Sequence, residues 1–318
     1  MKNIAVLTSG GDSPGMNACV RAIVRYGISK GLKVYGIKRG YAGLLNDEFE
    51  LMTARSVGNI IHTGGTILKT ARCKEFNSEA GVSKGIENLK KHDIGGLIVI
   101  GGDGSFRGAR DLVNKGFKVA CIPGTIDNNL FYTDYTLGFD TAVNTVVSLI
   151  NNVRETSISH DRVSIVETMG AGCGDLALNA GVASGADLII VPEVKLDLDA
   201  ICRKIRDAKK HGKQGSIIVL SEKIIEPSEL CRILTEKCDI ECRWTVFGHI
   251  QRGGSPTVFD RKLATNCGVI CVDMLIEGKS GAAGYRNGKY IFVSIDEALK
   301  GKRKFDLNLY YLANQISF

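Results

Sequence analysis

Short runs of valine, isoleucine and leucine alternate along this chain with longer segments of helical periodicity. The runs indicate strands and occupy residues 4–7, 34–37, 97–100, 119–122, 163–166, 188–191 and 217–220. Residues 142–154, by contrast, repeat their apolar side chains at the spacing of one helix face. Strands that are almost continuously apolar are buried on both faces of a parallel sheet. The alternation therefore predicts a doubly wound α/β fold.

The composition is that of an ordinary globular protein large enough for two domains. The chain has 318 residues, of which 44% are hydrophobic and 24% charged, with a formal net charge of +7. Its lysines and arginines are scattered, and no basic–aromatic module occurs. This distribution favours anionic small molecules over RNA or DNA. We expect no nucleic-acid partner.

The spacing of the ten cysteines does not suggest a disulfide framework or a zinc site. No C-x-x-C pair occurs, and Cys267 and Cys271 are spaced for one helix face. We expect reduced thiols in the core, as in a reducing compartment. No apolar run approaches the roughly 20 residues of a membrane span. The first strand begins too early for a signal peptide, so the expected location is the cytoplasm, with no membrane partner.

Two glycine-rich loops that carry an aspartate directly follow predicted strands. Residues 10–15 offer uncovered N–H groups at a helix N-terminus, which suit an anion, but a tight strand-to-helix turn explains them equally well. They match neither the P-loop nor the dinucleotide-binding motif. In residues 101–105 the glycines admit a phosphate, and Asp103 can hold Mg²⁺. A helix N-cap is the alternative for Asp103.

A third loop, residues 123–129, follows the next predicted strand and carries Asp127. Its carboxylate can accept the proton of a hydroxyl group that attacks phosphorus. Thr125 can hydrogen-bond the transferred group. An Asx-turn explains the aspartate and asparagines of the loop equally well. The loop is a candidate catalytic turn beside a candidate phosphate cradle.

Several basic side chains are candidate anion ligands, because arginine binds phosphate in a bidentate manner. Three of them lie in or beside loops: Arg72, Arg162 and Arg243. A lone arginine is more often a solvated surface charge. Residues 248–256 hold His249, Gln251 and Arg252 between glycines, which indicates a polar turn for a sugar or a phosphate.

These motifs occur in the order found in bacterial-type ATP-dependent 6-phosphofructokinases, which the chain resembles from end to end. The matching segments are residues 8–12, 101–105, 123–128, 169–170 and 248–256, the last being highly specific. The resemblance implies two Rossmann-like domains with mostly parallel sheets, assembled as a homotetramer. It implies transfer of the ATP γ-phosphoryl group, with Mg²⁺, to the 1-hydroxyl of fructose 6-phosphate in glycolysis. The implied ATP-binding domain spans 1–138 and 251–301, and the implied sugar-phosphate domain spans 139–250 and 302–318.

The resemblance also implies a role for each matching residue. The ATP contacts would be Gly11, Arg72, Cys73, Gly102, Asp103, Gly104 and Ser105, with Asp103 holding Mg²⁺. The catalytic residues would be Asp127 as general base, Thr125 and Gly11. The sugar-phosphate contacts would be Thr125, Ile126, Asp127, Arg162, Met169, Gly170, Ala171, Glu222, Arg243, His249, Ile250, Gln251 and Arg252. Arg162 and Arg243 would reach in from a neighbouring subunit.

The choice of phosphoryl donor follows from size and charge. Pyrophosphate-dependent relatives typically carry an acidic side chain at the position of Gly104 and a lysine at that of Gly124. Glycine at both positions leaves room for the α-phosphate and adenosine. We expect ATP to be the donor.

Two departures from the family pattern concern charge. Asn129 stands where the family usually has an aspartate, and Ala171 where it has an arginine. Loss of one charge-stabilising donor can lower a rate by about 10²–10³-fold. We expect weak catalysis. Alternatives are a regulatory subunit beside a fully equipped paralogue, and a kinase of another sugar phosphate.

A second anion site is implied where the family binds ADP or phosphoenolpyruvate between subunits. The matching residues are Arg21, Arg25, Arg154, Gly185, Asp187 and Lys213. Ala54 and His211 stand where arginines are usual. We expect weakened effector binding and blunted allostery.

Overall fold

The computed structural model describes residues 1–301 and 303–317. Its contacts divide the chain into two compact units. The first unit comprises Met1–Ile126, Leu130–Thr141 and Arg252–Arg303. The second comprises Asp127–Asn129, Ala142–Gln251 and the described residues from Lys304 on. The assignment of one unit to ATP and the other to the sugar phosphate, with the boundaries expected above, stays a prediction.

The strands are short and the helices longer, as in most α/β proteins. The strands are β1 Asn3–Thr8, β2 Lys33–Ile37, β3 Phe49–Met52, β4 Ile94–Gly101, β5 Val119–Pro123, β6 Val163–Thr168, β7 Leu188–Ile190, β8 Ser216–Ser221, β9 Cys242–Val246, β10 Gly281–Arg286 and β11 Lys289–Val293. The helices are α1 Met16–Ser29, α2 Gly40–Leu45, α3 Glu79–Lys91, α4 Asp103–Asn114, α5 Phe139–Ser159, α6 Asp175–Ser184, α7 Leu198–Lys210, α8 Pro227–Cys238, α9 Val258–Ile276, α10 Ile295–Leu299 and α11 Leu307–Ile316. Short 3₁₀ helices span Glu75–Asn77 and Gly248–Arg252.

The first unit is built on a seven-stranded sheet of order β11-β10-β5-β4-β1-β2-β3. Its central strands are parallel, whereas β3 and β11 pair antiparallel at the two edges. Alternate side chains of β1 point to opposite faces of the sheet. Ile4 and Val6 pack with α1 and α9, and Ala5 and Leu7 pack with α2, α3 and α4. Both faces are thus covered by helices.

The second unit contains a four-stranded, fully parallel sheet of order β7-β8-β6-β9. Val163 and Ile165 of β6 pack with side chains of α7 and α8 on one face. The predicted fold class, mostly parallel α/β with two Rossmann-like domains, is confirmed by these two sheets. Strands β3, β9, β10 and β11 are not among the runs that the sequence pattern indicated.

All ten cysteines are free thiols, and eight of them are buried. This agrees with the expectation that they are small apolar core residues. In the part of the chain that the structure describes, no helix combines the length and apolarity needed to traverse a bilayer.

Candidate active site

The first glycine loop joins the carboxyl end of β1 to the start of α1. Gly10 and Gly15 have φ values of +85° and +100°, a left-handed conformation that glycine adopts without strain. Gly15 is the N-cap of α1, and no side chain caps this helix end. Since the first N–H groups of a helix lack intrahelical partners, this end can bind an anion. The tight turn is thus observed, and its role as an anion site stays a prediction.

The second loop, at the carboxyl end of β4, packs against the first. A Cβ atom on Gly101 would lie 2.5 Å from the carbonyl oxygen of Ser9, so a larger residue cannot occupy this position without a backbone shift. Ser105 Oγ lies 3.5 Å from where a Cβ atom of Gly10 would be. Gly104, by contrast, borders open space. The two glycine loops therefore form one edge of the first unit.

Asp103 is the first residue of α4, and Gly102 is the N-cap. The alternative role of Asp103 as N-cap is therefore wrong. Its carboxylate accepts hydrogen bonds from Arg107 Nε at 2.8 Å and Nη2 at 3.2 Å, and its side chain is 43% exposed. Within residues 1–301 and 303–317, no cluster of three or more His, Cys, Asp or Glu side chains could hold a metal. A single accessible carboxylate still suits Mg²⁺, which proteins bind through one or two carboxylates plus substrate phosphates.

The candidate catalytic turn follows β5. Thr125 is buried, its carbonyl oxygen accepts a hydrogen bond from Thr136 Oγ1 at 2.6 Å, and its Cβ lies 3.7 Å from where a Cβ atom of Gly102 would be. Thr125 and Gly102 are thus neighbours at the same sheet edge. The chain passes into the second unit between Ile126, which is fully buried, and Asp127, which is 8% exposed.

Asn128 and Asn129 complete this turn. Asn128 has a φ of +50°, and its Nδ2 donates a hydrogen bond to Asp175 Oδ2 at 3.0 Å, which holds the turn to the start of α6. Asn129 Oδ1 is buried and has no hydrogen-bond partner among the described residues. A buried acceptor without a partner is costly, so this oxygen is available to a ligand.

Residues 169–171 form a second turn, at the carboxyl end of β6. Met169 N donates to Gln251 Oε1 at 3.1 Å, while Glu222 Oε1 accepts from the backbone N–H groups of Gly170 at 3.3 Å and Ala171 at 2.8 Å. Ala171 is exposed with a φ of +50°. The structure thus brings five predicted sugar-phosphate residues together within the second unit.

Arg162 and Arg243 also meet in the second unit, through Glu241. Arg162 Nη1 lies 3.9 Å and Arg243 Nη2 lies 2.9 Å from Glu241 Oε1. Arg162 lies directly before β6, and Arg243 is exposed on the neighbouring strand β9. His249 and Ile250 lie in the exposed part of the following 3₁₀ helix. Two guanidinium groups beside one carboxylate can bind a dianionic phosphate.

Arg252 lies at the first glycine loop, within the first unit. A Cβ atom on Gly11 would be 1.9 Å from Arg252 Nη1, and this nitrogen donates to the Asp12 carbonyl oxygen at 3.3 Å. Arg72 is exposed, and the partly buried Cys73 packs against the core of α2, α3 and α4. A cation thus stands beside the uncovered N–H groups of the loop.

The residues of the expected effector site are divided between the units. In the second unit, the buried Asp187 pairs with Lys213 and accepts from Ile217 N at 2.7 Å. Arg154 Nη2 donates to the carbonyl oxygens of Ser184 at 2.6 Å and Gly185 at 3.0 Å. In the first unit, Arg21 and Arg25 lie on α1, and Arg25 donates to the carbonyl oxygen of Ala54 at 3.4 Å.

Two features of the site were not predicted from the sequence. Arg107 holds the Asp103 carboxylate, and its i,i+4 spacing on α4 is the signal that could have found it. Thr168 Oγ1 and Ser221 Oγ, in register at the ends of β6 and β8, are buried and have no hydrogen-bond partner in the described chain. Hydroxyl residues that end apolar runs are a weak signal for such a pair.

Comparison with known proteins identifies the family. The phosphofructokinase family model matches residues 3–275. ATP-dependent 6-phosphofructokinases of Clostridium novyi and Alkaliphilus metalliredigens are 56% and 55% identical, each over the full length of both chains. The phosphofructokinase of Pichia pastoris in the T-state superposes with a TM-score of 0.90 at 33% identity, covering 94% of this chain and 35% of the yeast chain. A pyrophosphate-dependent enzyme of Marinobacter aquaeolei shares the fold, with a TM-score of 0.87 at 21% identity, over 97% of this chain and 86% of that one. The match to the family model and the full-length relatives show that this chain belongs to the phosphofructokinase family.

Proposed function

We propose that this protein is an ATP-dependent 6-phosphofructokinase, which converts fructose 6-phosphate and ATP into fructose 1,6-bisphosphate and ADP in glycolysis. The observation that carries the proposal is full-length identity of 53–56% to relatives bearing that name. The loop at the end of β4 and the turn after β5 support it, because Gly102, the N-cap of α4, lies beside Thr125, and the N-terminus of a helix suits an anion.

The chemistry requires few groups. Asp127 accepts the proton of the 1-hydroxyl while that oxygen bonds to the γ-phosphorus. The bond from this phosphorus to the β–γ bridging oxygen breaks, and ADP leaves. Thr125 hydrogen-bonds the transferred group, and Arg162, Arg243 and His249 bind the 6-phosphate. Mg²⁺ bound with ATP at Asp103 would neutralise charge on the β- and γ-phosphates.

ATP is the proposed donor in preference to pyrophosphate. Gly104 borders open space at the start of α4, so nothing there obstructs a nucleoside. Gly124 is closely packed, since a Cβ atom would lie 3.0 Å from both Ile100 Cγ2 and Met16 Cε. A lysine at this position would therefore require repacking.

A second candidate function rests on Asn129 and Ala171. The neutral amide and the short side chain leave this chain without a carboxylate and a cation that relatives usually carry. The candidate is a slow subunit that binds sugar phosphate and nucleotide beside an active paralogue. A purified protein that binds both ligands tightly but releases no ADP would support it.

Assembly, regulation and location complete the proposal. Family membership supports assembly as a homotetramer, in which Arg162 and Arg243 would serve a neighbouring subunit. The Lys213–Asp187 pair engages one of the effector cations, and Ala54 and His211 stand where relatives usually carry arginines, so the response to ADP or phosphoenolpyruvate should be shallow. The free thiols support a cytoplasmic location.

The test is a coupled assay of ADP release with fructose 6-phosphate, other sugar phosphates and pyrophosphate as alternative substrates. Turnover that requires ATP and fructose 6-phosphate supports the proposal. Asp127→Asn keeps the shape of the side chain and should lower kcat by about 10²–10⁴-fold. Preference for pyrophosphate or for another sugar phosphate, or an Asp127→Asn variant as active as wild type, would overturn it.

A further inference from the structure

Four of the cysteines lie in two pairs around helix α8, all within the second unit. Cys231 and Cys238 belong to α8 and are seven positions apart, about two turns, so they lie on the same side of the helix. Cys202 belongs to the neighbouring helix α7, and Cys242 is the first residue of β9. The side chains of all four pack in one apolar cluster on a face of the four-stranded sheet.

The two thiols of each pair are in contact. The thiols of Cys231 and Cys242 are hydrogen-bonded to each other. Cys238 Sγ is hydrogen-bonded to the Cys202 thiol and lies 3.8 Å from the Cys202 carbonyl oxygen. The described part of the chain has no group of three or more His, Cys, Asp or Glu side chains that could hold a metal, so the four cysteines do not form a zinc site. The chemistry open to two neighbouring thiols is oxidation to a disulfide.

Access from solvent distinguishes the two pairs. Cys202 is 1% exposed, and Cys238 and Cys242 are each 5% exposed, whereas Cys231 is only partly buried. Burial first, and then the hydrogen bond to the partner thiol, raise the pKa of Cys242, and the same two causes raise the pKa of Cys238 to about 11. Buried, protonated thiols react slowly. A reagent in solution therefore reaches Cys231 first, and the Cys202–Cys238 pair stays protected.

The position of Cys242 gives a disulfide at this place a structural consequence. Strand β9 is an edge strand and pairs with β6 along one side. Within β9, Cys242 is buried and residues 243–246 are exposed. A covalent bond from Cys242 to α8 would therefore fasten this edge strand at its buried end.

We propose that Cys231 and Cys242 are a site of reversible oxidation, at which a peroxide converts the two thiols into a disulfide that joins α8 to β9. The inference concerns a modification of the second unit and does not depend on the proposed kinase activity. A disulfide of this kind in a reducing compartment is transient and serves as a redox sensor.

The oxidation takes two steps. Cys231 Sγ, after losing its proton to solvent, attacks one oxygen of hydrogen peroxide, so an S–O bond forms, the O–O bond breaks, and the departing hydroxide takes up a proton to give water. Cys242 Sγ then attacks the sulfenic sulfur, the S–S bond forms, the S–O bond breaks, and the hydroxide leaves with the Cys242 proton as a second water. The two sulfurs together lose the two electrons that reduce the peroxide.

The experiment maps disulfides in the native protein after treatment with hydrogen peroxide. Remaining thiols are blocked with iodoacetamide, and the protein is digested with trypsin and endoproteinase Asp-N, because Cys238 and Cys242 share the tryptic peptide of residues 238–243. Mass spectrometry should find residues 224–232 linked to residues 239–243, and dithiothreitol should remove the link. Hydrogen exchange of the β9 amides should slow by about tenfold or more in the linked protein.

Three variants identify the thiols that react. Cys238→Ser is the matched control, since it removes the other thiol of α8, and it should keep the link. Cys242→Ser removes the resolving thiol, so Cys231 should accumulate as a sulfenic acid that dimedone labels. Cys231→Ser should abolish both the link and the labelling. The map of wild type decides the question even if one of the variants fails to fold.

The inference is overturned if peroxide-treated wild type contains no link between Cys231 and Cys242, whether its thiols stay reduced or Cys231 proceeds to a sulfinic acid. A link between Cys202 and Cys238, or between two copies of the chain, in place of the expected one would also overturn it. So would exchange of the β9 amides that is equally fast in the linked and the reduced protein.

Discussion

The carboxylate of Asp260 accepts hydrogen bonds from both the backbone N–H and the hydroxyl of Thr141, although Asp260 is fully buried. A further bond comes from Gly138 N at 2.9 Å. These contacts join the start of α9 to the start of α5 inside the first unit. Burial raises the pKa of Asp260 to about 6, against the lowering effect of the three hydrogen bonds.

This raised pKa predicts a pH dependence of stability. An unfolded aspartate has a pKa of about 3.9, so between about pH 4 and pH 6 the folded protein holds a proton that the unfolded chain has released. The stabilisation is complete below the unfolded pKa and is lost as the pH rises through the folded pKa. A shift of about 2 pH units corresponds to about 3 kcal/mol.

Urea unfolding of wild type and Asp260→Asn checks this prediction. Asparagine does not titrate. The unfolding free energy of wild type minus that of Asp260→Asn should therefore decrease by about 3 kcal/mol between about pH 4 and pH 8. A difference between the two proteins that is constant over this range, or that grows with pH, would contradict it.

Arg107→Gln should lower the Mg²⁺ concentration needed for half-maximal rate at saturating ATP. The guanidinium of Arg107 donates hydrogen bonds to the Asp103 carboxylate, which would hold the metal, so it competes with Mg²⁺ for the same oxygens. Both side chains are about half exposed. Exposed ion pairs contribute about 0.2–1 kcal/mol, so the shift should reach at most about fivefold. Arg110→Gln, one turn or so further along α4, is the matched control and should leave the Mg²⁺ requirement unchanged. An unchanged or higher requirement in Arg107→Gln would show that the pair does not compete with the metal.

Gly104→Asp should raise KM for ATP without lowering the thermal stability of the protein. The position borders open space in the first turn of α4, where a carboxylate interacts favourably with the helix dipole. The added charge would repel the ATP phosphates and raise KM for ATP by about tenfold or more. Thermal unfolding and ATP kinetics of Gly104→Asp and the neutral Gly104→Asn separate charge from size. Equal KM values for the two variants would refute the electrostatic explanation.

Asn129→Asp and Ala171→Arg should each raise kcat. Asn129→Asp adds a carboxylate at a position where, among the described residues, the buried Asn129 Oδ1 has no hydrogen-bond partner. Ala171→Arg adds a cation at an exposed turn. One charge-stabilising donor is worth up to about 10²–10³-fold in rate. Wild-type turnover within about 1–100 s⁻¹, the range of ordinary kinases, with no gain in either variant, would contradict this prediction.

The sheet cores and the glycine loops could be predicted because their signals are local. An apolar run such as residues 97–100, followed by a glycine loop and a helical pattern, indicates strand, turn and helix within some 20 residues of sequence. Strands β9, β10 and β11 could not be found in this way. The sequence of β10, Gly281–Arg286, is rich in small residues, and its strand character comes from pairing with β5, far away in the chain.

The residue types of the candidate site were likewise recognisable from the sequence, whereas their contacts were not. Glycine and aspartate after a strand indicate phosphate chemistry wherever the chain folds as α/β. The Arg107–Asp103 pair is local, since its two members are four positions apart on α4. That the guanidinium of Arg252 lies on the loop of Gly11 and Asp12, however, depends on packing between segments 240 positions apart. Local propensity carries no information about contacts between segments that lie so far apart in the sequence. The position of the Arg252 guanidinium was therefore decided only by the tertiary packing of the sheet and its helices.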